Sequence, residues 1–280
     1  MHRESALGLV GSWGAGTGPT LVLNGHIDVV PPGDLAQWRD RAAYAGVTRD
    51  GAVYGRGACD MKGGLVCSLF AIQAVRAAGI RLRGRVLLES VVGEEDGGLG
   101  TFATLQRGYR GDAAIIAEPT DLAIIRDAAR GRLAEQRARS ARRGGTHRRR
   151  ARRDHRRCAP RSRGGDRRRV RRRPVAPRAP RGRGLVRRPV RERPDPRRPP
   201  LVDLVSGAHA TLAGVAPDIH GAPYGSDPRL MVGLGGIPTL HYGPGNVKHA
   251  HSPDEHVPVA HLRSVVRTMV LSILRFCGHD

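Results

Sequence analysis

The sequence predicts an α/β layer fold carried by two separated stretches of chain. Three observations carry this. In residues 1–125, short apolar runs alternate with glycine-punctuated loops and one long amphipathic stretch. The same style returns in residues 201–280. Histidine and acidic residues follow the apolar runs, where open α/β sheets present side chains to a ligand.

Residues 20–23, 85–92 and 113–117 are rich in Leu, Val, Ile or Ala and are bounded by Gly or Pro, so they read as strands. Between the first two, residues 64–78 place Leu65, Leu69, Ile72 and Val75 at helical spacing, which predicts a core-facing helix ending at Gly79. Residues 201–213 predict another helix and residues 237–242 another strand. A closing amphipathic helix is expected over 259–276, with Leu262, Val266, Val270 and Ile273 on its apolar face.

Residues 126–200 break the pattern. From 126 to 198 there are 31 arginines, no lysine and six acids, a net +25, while the rest of the chain carries 17 basic and 19 acidic groups. The whole-chain charge of +23 therefore describes the middle and not the flanks. The tract contains no Ile, Phe, Tyr, Trp or Met, too little apolar surface to offset the entropy of ordering it. Arg, Ala, Gly and Pro are encoded by codons made only of G and C. A frameshift near residues 125–132, with a second near 198–201 restoring the frame, would account for the composition, carries an inactive gene product as the alternative reading, and is tested by translating the other two frames. Arginine tracts bind phosphate backbones, but no aromatic side chain is interleaved for base stacking, so any nucleic-acid contact is expected to be non-specific.

Cys59, Cys67, Cys158 and Cys277 show no CxxC pair, which argues against a disulfide framework or a zinc ribbon. No apolar stretch is judged long enough to span a membrane, and a cytoplasmic protein is expected.

Five motifs carry chemistry. The first is the run Asn24-Gly25-His26-Ile27-Asp28, where an imidazole and a carboxylate two residues apart lie on one side of an extended chain. Taken by itself, it is as well explained by a turn histidine. The second surrounds Asp60 in a glycine-rich segment before the first helix, where a helix N-cap is the ordinary alternative. The third is Glu94-Glu95-Asp96 after a strand, which otherwise reads as a solvated acidic loop. The fourth is Glu118 after the next strand, and the fifth is the pair His249 and His251 in a late glycine-bearing turn. Together they offer the histidines and carboxylates used by catalytic zinc, with one carboxylate able to bridge two ions roughly 3.5 to 4 Å apart.

The blocks GHIDVVP, YGRGACDMKGG, the Glu94-Glu95 pair, AEPT and HSPDE occur in the order seen in the zinc-dependent family of glutamate carboxypeptidase, acetylornithine deacetylase and succinyl-diaminopimelate desuccinylase, which the sequence resembles over residues 8–125 and 201–280. The resemblance implies one discontinuous α/β domain with a mixed sheet, a di-zinc exopeptidase-like catalytic domain in two segments, 1–125 and 201–280. It implies that two zinc ions, with cobalt as a substitute, are held by His26 and Glu118 on one side and Glu95 and His251 on the other, with Asp60 bridging. Glu94 would be the general base and Asp28 would orient His26. The substrate would be an N-acyl amino acid or a dipeptide-like amide. GAPYGSDPRLM, residues 221–231, is similar to the family's substrate-side segment and implies contacts from Ser226, Asp227 and Arg229, the last able to pair with a carboxylate. Family members insert an α+β lid and dimerisation domain where this chain has its Arg-rich segment. The lid histidine that helps hold the oxyanion has no counterpart here, His147 and His155 take no role, and the family's dimer interface is expected to be lost.

Overall fold

The computed structural model describes residues 8–39, 41–126, 200–221 and 226–280. The chain divides into residues 1–130 with 194–280, and residues 131–193. The expected Arg-rich segment falls almost wholly outside the described residues, as do residues 222–225 of the substrate-side segment.

Seven strands form one mixed sheet: β1 (Gly8–Trp13), β2 (Thr20–His26), β5 (Arg85–Val91), β6 (Ala113–Ile116), β7 (Ile124–Arg126), β8 (Ile219–Gly221) and β9 (Thr239–His241), in the order β1-β5-β2-β6-β9-β7-β8. The four central strands β5, β2, β6 and β9 run parallel, so their carboxyl ends share one edge. β6 comes from the first stretch of chain and β9 from the last, and their pairing makes the domain discontinuous. Short strands β3 (Val47–Arg49), β4 (Ala52–Tyr54) and β10 (His256–Pro258) form a second, antiparallel sheet that also joins the two stretches.

Helices cover both faces of the large sheet. α1 (Gly63–Ala77), α3 (Leu201–Ala213) and α5 (Val259–Cys277) pack on one face, and α2 (Leu99–Gln106) and α4 (Pro228–Gly233) on the other. β2 is buried along nearly its whole length, as expected of a central parallel strand. Its alternation sorts the faces: Gly25 meets Met61 and Leu65 on the α1 side, while Asn24 points to Thr101 of α2. α1 lies so close to the end of β6 that a Cβ on Gly64 would sit 1.9 Å from the Ala117 carbonyl oxygen, a position only glycine can occupy.

The stripe that α1 buries runs through Gly64, Leu65, Ser68, Ala71, Ile72 and Val75, and Leu69 is 40% exposed, because it falls beside that stripe and not in it. In α5 the deepest residues are Val265, Met269 and Ile273; Leu262, Val266 and Val270 flank them and are only partly buried. Among the described residues, Ala58–Ala77 has the length and mean hydropathy, 1.3, of a membrane span, by length and composition only. The segment carries Asp60 and Lys62 and packs against β2 and α5, as a core helix of a globular domain does.

Candidate metal centre

The shared edge of β5, β2 and β6 gathers the expected residues. His26 is the last residue of β2, Glu94 and Glu95 follow β5, and Glu118 follows β6. Asp60 is not a helix cap. It sits in a π-helical turn, Ala58–Lys62, with an extended backbone (φ −117°, ψ 101°), and α1 begins three residues later.

Asp60 lies between two imidazoles. Its Oδ1 is 3.1 Å from His26 Nε2 and its Oδ2 is 3.2 Å from His251 Nε2. Glu95 Oε1 is 3.0 Å from the same His251 nitrogen, and Glu94 Oε2 is 4.0 Å from His26 Nε2. Ligand atoms of His26, Asp60 and Glu95 all fall within 4.8 Å of one another. Glu118 is buried beside them, within electrostatic reach of Asp60, His26 and Glu94. His249 is elsewhere: its ring lies 4.2 Å from that of His256.

His26 is 1% exposed. Its Nδ1 donates to the backbone carbonyl of Asp28 at 3.0 Å, closer than the Asp28 carboxylate at 3.5 Å. The expected orientation of His26 by Asp28 therefore runs first through the main chain, and the carboxylate accepts instead from the Glu95 amide at 3.3 Å. This arrangement turns Nε2 toward the cluster.

The substrate-side residues divide. Ser226 is buried with its Oγ 2.8 Å from His241 Nε2, and Asp227, 1% exposed, accepts from the Thr101 hydroxyl. Neither is at an open surface. Arg229 is exposed, and its guanidinium donates to the Gly97 carbonyl at 3.0 Å beside the acidic loop.

Crowded carboxylates raise one another. Burial lifts Glu94 to about 7, with Asp227, Asp60 and Glu95 adding to it against the pull of His26. Glu118 is pushed well above the carboxylate range by burial and by Asp60, and Glu95 is raised by the same causes. Burial alone would lower His26, but the Asp60 hydrogen bond and the surrounding acids lift it to about 10. Carboxylates and imidazoles converging on one edge, with more negative than positive charge, suit divalent cations, so the donor set fits the expected metal.

The sign of the pH dependence follows. A carboxyl raised in the fold contributes stability below its unfolded pKa and loses it as pH climbs through the folded value; a raised histidine behaves the same way at higher pH. In chelator, the melting temperature should therefore fall as pH rises from about 4.5 through about 7, the window of Glu94. A melting temperature that is flat or rises across that window, read by circular dichroism, would contradict this electrostatic account.

Two buried arrangements were not anticipated. Glu255 is completely buried and paired with Arg56 at 2.5 Å. Glu89 and Asn24, both 1% exposed, bond at 3.0 Å in the sheet, and Asn24 also reaches Thr101, which bonds Asp227. The available signals were an acid inside the apolar run of β5, and opposite charges in two glycine-bearing motifs.

The model of peptidase family M20/M25/M40 matches residues 22–275. Over 105 residues the chain is 42% identical to an N-formyl-4-amino-5-aminomethyl-2-methylpyrimidine deformylase of Bacillus subtilis, covering 38% of this chain and 24% of that protein. Over 110 residues it is 46% identical to a succinyl-diaminopimelate desuccinylase of Methylobacterium nodulans, covering 37% and 28%. The chain thus spans about a quarter of the length of these curated relatives. Its fold is similar to the M20 family metallo-carboxypeptidase Sso-CP2 of Sulfolobus solfataricus, with a TM-score of 0.63 at 13% identity over 95% of this chain and 87% of that one. The dipeptidase Dug1p of Saccharomyces cerevisiae gives 0.62 at 12% identity over 96% and 82%. With a family match running from the second strand into the last helix, and a fold shared with solved members, the chain belongs to peptidase family M20/M25/M40.

Proposed function

We propose that the chain is a di-zinc amide hydrolase acting on N-acyl amino acids or dipeptide-like amides. The observation that carries this reading is Asp60, whose two carboxyl oxygens face the Nε2 atoms of His26 and His251 at 3.1 and 3.2 Å. His26 and Glu118 would hold one ion, Glu95 and His251 the other, and Asp60 both. Bound there, the ions supply Lewis acidity, which makes water acidic enough to ionise near neutral pH and polarises an amide carbonyl.

The chain's own residues do the rest. Glu94, whose carboxyl is lifted to about 7 by burial, takes a proton from the attacking water at Oε2 and returns it to the leaving amine. The Asp28 carbonyl keeps the proton of His26 on Nδ1, so that Nε2 faces the cluster. Arg229, exposed beside the Gly97 loop, is placed to meet a substrate carboxylate. Ser226 and Asp227, held by His241 and Thr101, complete the substrate-side segment.

The domain boundaries are part of the proposal: catalytic segments 1–125 and 201–280, with the Arg-rich 126–200 in place of the lid. A chain lacking the lid's oxyanion donor should be slow, since one such donor is typically worth roughly 10² to 10³ in rate. The test is metal analysis of the purified chain with an N-acetyl or N-succinyl amino acid assay. Close to two zinc ions per chain and slow, chelator-sensitive hydrolysis are expected. A chain that folds yet retains no zinc would overturn the proposal.

A further inference from the structure

The carboxylate of Glu255 collects four donors. Its Oε1 accepts from the backbone amides of Gly57, Cys59 and Asp60 at 3.0, 2.9 and 3.0 Å, and its Oε2 accepts from Arg56 Nη1 at 2.5 Å. The amides converge because Gly57 takes a left-handed conformation (φ 85°), curling the loop into a concave, anion-binding turn. All these donors lie in the segment that presents Asp60. Glu255 itself lies four residues after His251, and its backbone carbonyl accepts from Gly55 at 2.8 Å. One buried side chain therefore ties the loop carrying Asp60 to the loop carrying His251, across 195 residues of sequence between Asp60 and Glu255.

The two loops are also joined where β4 pairs with β10, Tyr54 opposite His256, and where Cys59 Sγ donates to the Asn246 carbonyl at 3.4 Å, but neither of these contacts involves Asp60 or His251. Both are outside regular strands, and His251 itself is a non-glycine residue at positive φ (59°) with a side chain 48% exposed. The hydrophobic cluster of the fold draws on β2, β5, β6, β7, β9 and the helices, and it reaches the Asp60 loop through Met61. Resting on the di-zinc reading, we infer that Glu255 is a positioning residue for the metal centre: it sets the loop so that one oxygen of Asp60 faces His26 and the other faces His251. Breaking its pair with Arg56 also lowers the stability of the metal-free chain, so the effect particular to the donor set is the one that zinc binding reads.

The test compares Glu255→Gln with the unmodified chain, using zinc as the probe, in titrations with a competing chelating dye and in melting curves with chelator and with zinc. The proposal expects the metal-free variant to keep its far-ultraviolet circular dichroism, while zinc stoichiometry falls from two toward one and the weaker ion loses at least tenfold in affinity. Glu255→Asp, which keeps the charge beside Arg56 but shortens the reach, should give an intermediate loss. Two ions bound at unmodified affinity, with only the metal-free melting temperature lowered, would make Glu255 a purely structural residue and overturn the inference. So would failure of both variants to fold, because the core would then depend on it. If the unmodified chain itself takes no zinc, the di-zinc reading fails, a result separate from either variant's behaviour.

Discussion

Glu94→Gln should leave zinc content unchanged and lower the rate of amide hydrolysis by about 10² to 10⁴, the usual worth of a positioned proton acceptor. The expectation rests on place as much as on charge. Glu94 Oε2 is 4.0 Å from His26 Nε2, beyond the 3.0 to 3.2 Å contacts that join His26, Asp60, Glu95 and His251, so it borders the donor set without completing it. Burial holds its carboxyl near 7, where it can both accept and return a proton close to neutrality. Glutamine keeps the shape and takes away the basicity. The discriminating pair of measurements is zinc per chain and turnover at saturating substrate. Loss of zinc together with turnover would move Glu94 into the ligand set, and retained turnover would remove it from the proton path.

How much of this was legible in the sequence depended on the range of the interaction. Strands β2, β5 and β6 and helices α1, α3 and α5 are long enough for apolar periodicity to mark them, and each was expected to within three residues at either end. The three-residue strands β3, β4 and β10 have no period to read, and α2, LGTFATLQ, is two turns long with glycine, phenylalanine and two threonines interrupting its helix formers. The donor inventory could be read because each member sits at the end of an apolar run, and parallel strands bring such ends to one edge. The Arg56–Glu255 pair could not, because its partners are 199 residues apart and a charged residue in a glycine-rich motif looks the same whether buried or solvated. The inward turn of Ser226 and Asp227 was hidden for a related reason: their partners, His241 and Thr101, belong to β9 and α2, and only the folded sheet brings these together. Asp28 was expected to act through its carboxylate, yet its main-chain oxygen makes the shorter contact, a detail of local geometry that residue type does not encode.

Asp60→Ala should have the opposite signature from Glu94→Gln: zinc is lost first, and activity with it. Among the described residues Asp60 is the one that contacts both histidines, so its removal takes a donor from each half of the cluster at once. Losing an outer partner of a metal ligand typically costs roughly 10 to 100 in affinity, and losing a shared ligand should exceed that. A hundredfold loss of zinc affinity removes about 2.7 kcal/mol of the stabilisation that saturating zinc confers, which melting curves resolve. The fold itself should tolerate the change. Asp60 lies in a turn at the sheet edge, and its charge is among the causes that raise Glu94, Glu95 and Glu118. Deleting it relieves that repulsion, at the cost of the hydrogen bond that helps lift His26. In chelator near pH 8, where the carboxylates press hardest, the variant should therefore melt no lower than the unmodified chain, while its gain in melting temperature on adding zinc should largely disappear. A variant that still binds two ions and keeps the full gain would mean that Asp60 bridges nothing, and that the two-sided contact with His26 and His251 has been assigned the wrong role.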